Sequence, residues 1–221
     1  MQPYSVVIPA YNAEHTLEET LESVFAQLVQ PTAVIVVNDG STDNTLATAR
    51  GFGQRVAVFS QDNQGPGMAM SFGLRQCRTP LIASLDADDL WFPGKMERQL
   101  GYLHAHPECA ALFAQIRCFG LPSHENKVQA GWNRSSMVFR KEVFETIGDV
   151  VDPPGRRGEM VDWIAQGRET GFEFVHLDEV WVRRRIAPGS LAFERDNAKD
   201  QGYLHVARAA LLRKRAAQLA A

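Results

Sequence analysis

Leu81-Ile82-Ala83-Ser84-Leu85-Asp86-Ala87-Asp88-Asp89 is an apolar run that ends in three carboxylates within four positions. A short continuous apolar run, entered from Pro80 and closed by acids, predicts a strand buried on both faces. Toward the N-terminus the same order recurs. Tyr4-Ser5-Val6-Val7-Ile8 leads to Asn12, Ala33-Val34-Ile35-Val36-Val37 to Asn38-Asp39, and Val56-Ala57-Val58-Phe59 to Asp62-Asn63-Gln64. Between these runs Leu17, Leu21, Val24, Phe25 and Leu28 recur at helical spacing. A second helix is expected over about 43–50, capped by Ser41 or Thr42, and a third over about 68–76. Strands alternating with helices predict an α/β fold with a mostly parallel sheet covered on both faces. Ligands of such sheets sit beyond the C-terminal strand ends. One Asn or Asp cluster there is ordinary turn chemistry, but four on one edge predict a site.

Past residue 105 the pattern is less regular. Residues 120–124 and 151–155 read as loops, 136–139 as a strand, and about 159–170 as a helix. Apolar stretches follow at 172–175 and 180–182, then a long helical pattern over about 197–219 that is basic at Arg208, Arg213, Lys214 and Arg215. Its Leu204, Ala207, Leu211 and Leu212 predict a stripe packed on the domain or on a second copy. A docking of this helix on an anionic membrane surface is the lesser expectation.

The 221 residues, 45% of them hydrophobic, suffice for one large domain. The net charge of -3 is dispersed, which excludes the basic footprint that nucleic acid demands. Cys77, Cys109 and Cys118 are an odd number in a chain that needs no staples, so a reducing cytoplasm is expected. No apolar stretch, the first ten residues included, is long enough for a membrane span. Asn133-Arg134-Ser135 matches a glycosylation acceptor and is given no weight without a secretory signal. His104, His106, Cys109 and Cys118 match no common zinc spacing.

Three segments carry chemistry. Asp86, Asp88 and Asp89 repel one another unless a cation joins them, and Mg²⁺ or Mn²⁺ takes one or two carboxylates plus substrate phosphate oxygens. The same residues read equally as an acidic turn in which Asp89 caps the next segment. Asp39, at the end of an apolar strand, can accept the N3–H of uracil or thymine or two donors of guanine, and disfavours only cytidine. Tyr11 is placed to stack on a base, although alone it is an ordinary edge tyrosine. Asn63-Gln64-Gly65-Pro66-Gly67 brings backbone and a helix N-terminus toward an anion. Met70 stands where a dinucleotide fingerprint needs its third glycine, and no Gly-Lys-Ser/Thr loop occurs.

With Ser5-Val6-Val7-Ile8-Pro9-Ala10-Tyr11-Asn12, Val37-Asn38-Asp39-Gly40-Ser41-Thr42-Asp43 and Asp86-Ala87-Asp88-Asp89 at these distances, the chain resembles the family 2 glycosyltransferases, inverting enzymes of the GT-A fold. The resemblance implies a single mixed-sheet domain with a nucleotide-sugar site at the C-terminal strand edge. It divides the chain into a donor-binding half over 1–105, an acceptor-side half over 106–195 and a C-terminal helix over 196–221. It implies a donor that is most often a UDP-sugar and less often a dTDP- or GDP-sugar. Pro9, Tyr11 and Asp39 would hold the base, with Asn63 and Gly65 beside them. Asp86 would touch ribose or metal, and Asp88 would ligate Mn²⁺ or Mg²⁺. The acceptor, whether a glycan, a lipid-linked sugar, a peptide or a small molecule, is not implied.

The acceptor side departs from the family. Relatives carry a Glu-Asp pair whose Asp is the general base, whereas Gly158-Glu159-Met160-Val161-Asp162-Trp163 places Met160 there. Glu159 and Asp162, one helical turn apart, are the remaining candidates, with Trp163 on the acceptor side. Ala69-Met70-Ser71 lacks the usual arginine, for which Arg75 or Arg78 would substitute, and Arg184-Arg185-Ile186-Ala187 lacks the usual metal-binding histidine. Arg184 and Arg185 remain as diphosphate contacts. A metal-dependent nucleotide-sugar hydrolase and a nucleotide-sugar-binding protein without turnover are the alternatives to transfer.

Overall fold

The computed structural model describes residues 2–155, 157–188 and 197–220. The boundary expected at 195/196 lies outside the described residues. The first half follows the predicted alternation: β1 (Tyr4–Ala10), α1 (Leu17–Phe25), β2 (Ala33–Asp39), α2 (Thr45–Gly51), β3 (Ala57–Gln61), α3 (Pro66–Gln76) and β4 (Leu81–Ser84). Then come β5 (Leu90–Trp91), α4 (Lys95–Ala105), β6 (Cys109–Phe119), β7 (Val128–Gly131), a 3-10 turn (Arg134–Ser136), β8 (Val138–Arg140), α5 (Lys141–Ile147), α6 (Glu159–Glu169), β9 (Glu173–Arg185) and α7 (Asn197–Ala220). Among the described residues the nine strands form one sheet in the order β3-β2-β1-β4-β8-β6-β9-β5, with β7 paired to β6. β1 to β4 are parallel to one another; β8 enters antiparallel between β4 and β6 and makes the sheet mixed.

Strand alternation sends Tyr4, Val6 and Ile8 into the core under α1, while Val7 joins Ile35, Val37, Met70 and Leu74 under α3 on the other face. Full burial of each such side chain stabilises the fold by about 1.5–3 kcal/mol. Gly73 lets α3 lie against the strands: a Cβ there would stand 2.5 Å from Val7 Cγ1 and 3.1 Å from Val37 Cγ2.

The structure differs from the sequence pattern at several points. The Ala-rich segment of β6 has low strand propensity, and burial at the sheet centre overrides it. The two apolar stretches at 172–175 and 180–182 are one strand, β9, with irregular register against β6. The stripe expected on α7 is exposed at Ala207, Leu204 (74%), Leu211 (60%) and Leu212 (57%), so it does not pack on the domain. Instead α7 docks through buried Val206 and through Gly202, where a Cβ would meet the Arg157 carbonyl oxygen at 2.1 Å. Among the described residues no helix is long and apolar enough to cross a membrane.

Candidate active site

The loops after β1 and β2 clasp each other. Asn12, at a left-handed φ of 48°, donates its N–H to Ser41 Oγ at 3.0 Å and accepts the Thr42 N–H at 2.9 Å. Beyond this clasp Tyr11 is half exposed, while Pro9 is buried in β1 beside Val37. Asp39 closes β2 and is 1% exposed. Its carboxylate accepts Gln61 Nε2–H at 2.8 Å and the backbone N–H groups of Gln64 and Gly65 at 2.9 Å each. Three of its roughly four acceptor positions are thus used inside the chain, and they fix the loop that carries Asn63, whose Nδ2 donates to the Asp39 carbonyl at 3.0 Å.

The helix N-terminus beyond Gly65, expected to face a ligand anion, is already capped. Asp152 Oδ2 accepts the N–H groups of Gly67 at 2.8 Å and Met68 at 3.3 Å, which corrects that expectation; a carboxylate there is favoured by the helix dipole. Arg75, considered as a replacement cation for the nucleotide, pairs with Asp149 on the same loop.

Beyond β4 stands the acidic corner, and the 3-10 turn Arg134–Ser136 builds it. Trp91 Nε1 donates to the Ser135 carbonyl at 2.8 Å and Gln99 Nε2 to the Ser136 carbonyl at 3.0 Å, which ties the turn to β5 and α4. Ser135 Oγ donates to Asp89 Oδ2 at 2.6 Å and receives the Asp86 N–H at 3.2 Å. Asp89 Oδ1 accepts the Arg185 N–H at 2.9 Å, so Asp89 is a buried structural acid with both oxygens engaged. Asp86 Oδ1 accepts Arg134 Nε–H at 2.8 Å. Asp88 accepts Arg185 Nε–H on its carbonyl at 3.1 Å, and its carboxyl feels the charges of Asp86, Arg184 and Arg134.

Burial, then the Asp86 charge, pushes the Asp88 carboxyl up to about 6, against the pull of Arg184 and Arg134. Burial and the charges of Asp88 and Asp86 raise Asp89 well above the usual carboxylate range. Burial works against the Arg134 cation, but the charges of Asp86 and Glu159 outweigh it and hold the guanidinium protonated. Among the described residues no three His, Cys, Asp or Glu side chains converge as a ready-made metal group. The residues that would hold a divalent ion are Asp88 and Asp86, two carboxylates. That number fits Mg²⁺ or Mn²⁺ completed by substrate phosphates and does not fit a cation caged by protein alone.

The two candidate bases part company. Glu159, at the start of α6, has a 13% exposed side chain with Oε1 lying 3.3 Å from Arg134 Nη1. Asp162 turns to α7 and accepts from Arg213 Nη2 at 2.8 Å and Gln166 Nε2 at 3.0 Å. Trp163, expected on the acceptor side, is 1% exposed in the core between Phe139 and Phe174, with Nε1 donating to the Gly148 carbonyl at 3.2 Å; it does not line the site. Arg185, expected on diphosphate, is held by Glu19, by the Asp88 carbonyl and over the Phe119 ring. Arg184 remains beside Asp88 and Asp89 as the available cation of the pair. Arg134 and Asp152 were missed because a tripeptide set aside as a chance acceptor site and a Pro-Gly loop hold them, and only the fold brings both to the corner.

A family model described as Glycosyl transferase family 2 matches residues 5–168. An uncharacterized glycosyltransferase of Rickettsia typhi is 35% identical over 100 residues, covering 45% of this chain and 31% of its own. The amylovoran biosynthesis glycosyltransferase AmsE of Erwinia amylovora is 30% identical over 160 residues, 63% of this chain and 60% of its own. The chain spans 15% to 31% of the length of the Rickettsia relatives it matches. Among solved structures, S. aureus TarS with UDP-GlcNAc superposes with TM-score 0.70 at 18% identity over 88% of this chain and 62% of that one. The mannosyltransferase PcManGT of Pyrobaculum calidifontis, in complex with GDP-Man and Mn²⁺, gives 0.66 at 18% over 86% and 59%. These likenesses show the fold, a mixed α/β sheet of the GT-A type.

Proposed function

The chain belongs to glycosyl transferase family 2, and from that premise we propose that it moves a sugar from a nucleoside-diphosphate donor, a UDP-sugar first, to an acceptor hydroxyl with inversion. The observation that carries the reading is the placement of Glu159 against Arg134, whose other side holds Asp86 of the donor corner. Glu159 takes the proton of the acceptor hydroxyl. The oxygen attacks the anomeric carbon from the face opposite the diphosphate, the bond from that carbon to the phosphate oxygen breaks, and the electron pair leaves with the nucleoside diphosphate. One displacement inverts the centre.

A divalent cation on Asp88 and Asp86 would neutralise charge on the departing diphosphate, as Lewis acids do. Arg184 would add a guanidinium contact to the phosphates. Tyr11 offers its ring to the base, and Asp39, Asn63, Gly65 and Pro9 shape the floor beneath it. The TarS complexes with UDP and UDP-GlcNAc and the PcManGT complex with GDP-Man and Mn²⁺ support this class of donor.

The test is turnover of Glu159→Gln and Asp162→Asn, read as nucleoside diphosphate released over a panel of acceptors. A positioned base gives about 10²- to 10⁴-fold, so Glu159→Gln should lose that factor, while Asp162→Asn stays within a few-fold of the parent. The reverse pattern would move the base to Asp162. Manganese-dependent UDP binding without transfer or hydrolysis would leave a binding protein instead.

A further inference from the structure

Residues 201–221 contain four cations, Arg208, Arg213, Lys214 and Arg215, and no Asp or Glu. α7 sorts these cations onto two sides. Val206 and Gly202 are buried against the domain, and Arg213, on the same side, spends its guanidinium on Glu169 and Asp162. At about 100° per residue, Leu204, Arg208, Leu211 and Arg215 fall within about 60° of one another on the far side, with Leu212 and Lys214 flanking them. All six of these side chains are exposed, the three leucines by more than half. Arg208, Lys214 and Arg215 have no ion-pair partner among the described residues.

A single leucine on a surface is ordinary, but leucines that follow one helix face among cations mark a contact. The two kinds of side chain together select the partner. A second copy of α7 would match the leucines, yet any symmetric pairing of the two helices sets cation against cation with no carboxylate on either face. A purely polar anion would take the cations and leave the leucines in water. An anionic bilayer takes both. The leucines enter the boundary between headgroups and acyl chains, while the long stems of Arg208, Lys214 and Arg215 carry their charges to the lipid phosphates. We propose that α7 docks the domain on an anionic membrane surface through the outward face of 204–215, lying along the bilayer and not crossing it. Docking of this kind is independent of the reaction the domain performs.

The test is partition of the full chain onto vesicles of phosphatidylcholine, with and without about one third phosphatidylglycerol. Binding should be at least about tenfold stronger on the anionic vesicles, and it should weaken as salt rises from about 0.1 M to about 0.5 M. Each cation near such a surface is worth about fivefold, so the triple variant Arg208→Gln, Lys214→Gln, Arg215→Gln should bind about 100-fold more weakly. Arg208→Lys with Arg215→Lys keeps the charge and should bind like the parent. Leu204→Ser with Leu211→Ser should lose at least about tenfold by itself. Both sets of side chains face water, so the melting temperature of every variant should stay at the parent's value. Equal binding to the two vesicle types, binding to neither, or a leucine variant that binds like the parent would overturn the proposal. A lower melting temperature in the leucine variant would overturn it by showing that the stripe packs on the domain. Sedimentation velocity showing a dimer that Leu204→Ser with Leu211→Ser dissolves would overturn it by giving the face to a second copy.

Discussion

Replacing Arg134 with Met keeps an unbranched apolar stem and removes the cation paired with both Asp86 and Glu159. The loss is not of attraction alone. Glu159, 13% exposed, and Asp86, 28% exposed at the side chain, would then face Asp152 with no guanidinium between them. Removing one partner of a buried pair costs about 3–5 kcal/mol, and since water reaches Asp86 the lower end applies. At roughly 2–4 °C per kcal/mol for a chain of this size, the melting temperature should fall by about 6–12 °C. Adding Glu159→Gln to Arg134→Met should return part of it, with a coupling of about 1–2 kcal/mol in the double-mutant cycle. The sign with pH is fixed. An arginine whose folded pKa is raised gives its full contribution at every working pH, so the deficit belongs to the carboxylates and narrows as acid protonates them. Thermal melts of the four proteins at pH 8 and pH 4 read the first quantity, and urea melts at the same pH values read the coupling. A variant melting within 1 °C of the parent, or a deficit independent of pH, would refute the picture of one guanidinium compensating three acids.

Asp88 gives a second pH dependence. Its folded pKa of about 6 is above the unfolded value of about 3.9, so the cation-free protein loses stability between those values as pH rises, whereas a cation needs the ionised form. Affinity for Mn²⁺ with UDP should therefore rise about tenfold from pH 5 to pH 7, about fivefold of it below pH 6, and level off above pH 7; calorimetry showing flat affinity would remove Asp88 from the ligands. Arg184→Gln should weaken UDP binding about fivefold or more without moving the melting temperature, and a shifted melt with unchanged binding would make Arg184 structural. Gly73→Ala gains about 1 kcal/mol of helix propensity but drives a methyl to 2.5 Å from Val7 Cγ1, an overpacking that costs about 1–3 kcal/mol. The expected net is destabilisation by up to about 2 kcal/mol in urea melts, and a more stable variant would mean that α3 stands off the sheet.

The donor half was legible because its signals are local. β1, β2 and β4 are apolar runs closed by Asn or Asp, and α1 and α3 carry their stripes in sequence order. The acceptor half was legible only in part: α6 and α7 stand where their patterns put them, whereas β6 owes its conformation to burial between β8 and β9 and its alanines announce nothing. The same division holds inside the site. Asp86 and Asp88 stand in one tetrapeptide that states its own electrostatic problem, but the charge that answers it, Arg134, is 46 residues beyond Asp88 in a turn whose only sequence signal was a glycosylation tripeptide. Glu159 and Asp162 show the limit of helical spacing. One turn apart on α6, they are separated by their neighbours, Arg134 on one side and Arg213 on the other.

That separation bears on the cation. Asp86, Asp88, Asp89, Asp152 and Glu159 set five carboxylates against the guanidinium groups of Arg134 and Arg184 around the corner. A nucleoside diphosphate brought to that field adds further negative charge, and with Asp152 already on the N-terminus of α3 the helix dipole is not free to offset it. Arg185, which the sequence offered as a second phosphate contact, is held by Glu19. On the proposed function, positive charge for the diphosphate would come from Arg184 and from a divalent ion shared with the substrate. Asp88, held near the point of protonation by burial, is the group whose ionisation such an ion would favour. A donor that binds this chain equally well with and without Mn²⁺ would mean that Arg184 alone overcomes the corner, and the magnitude of the Arg184→Gln effect measured without metal would say so directly.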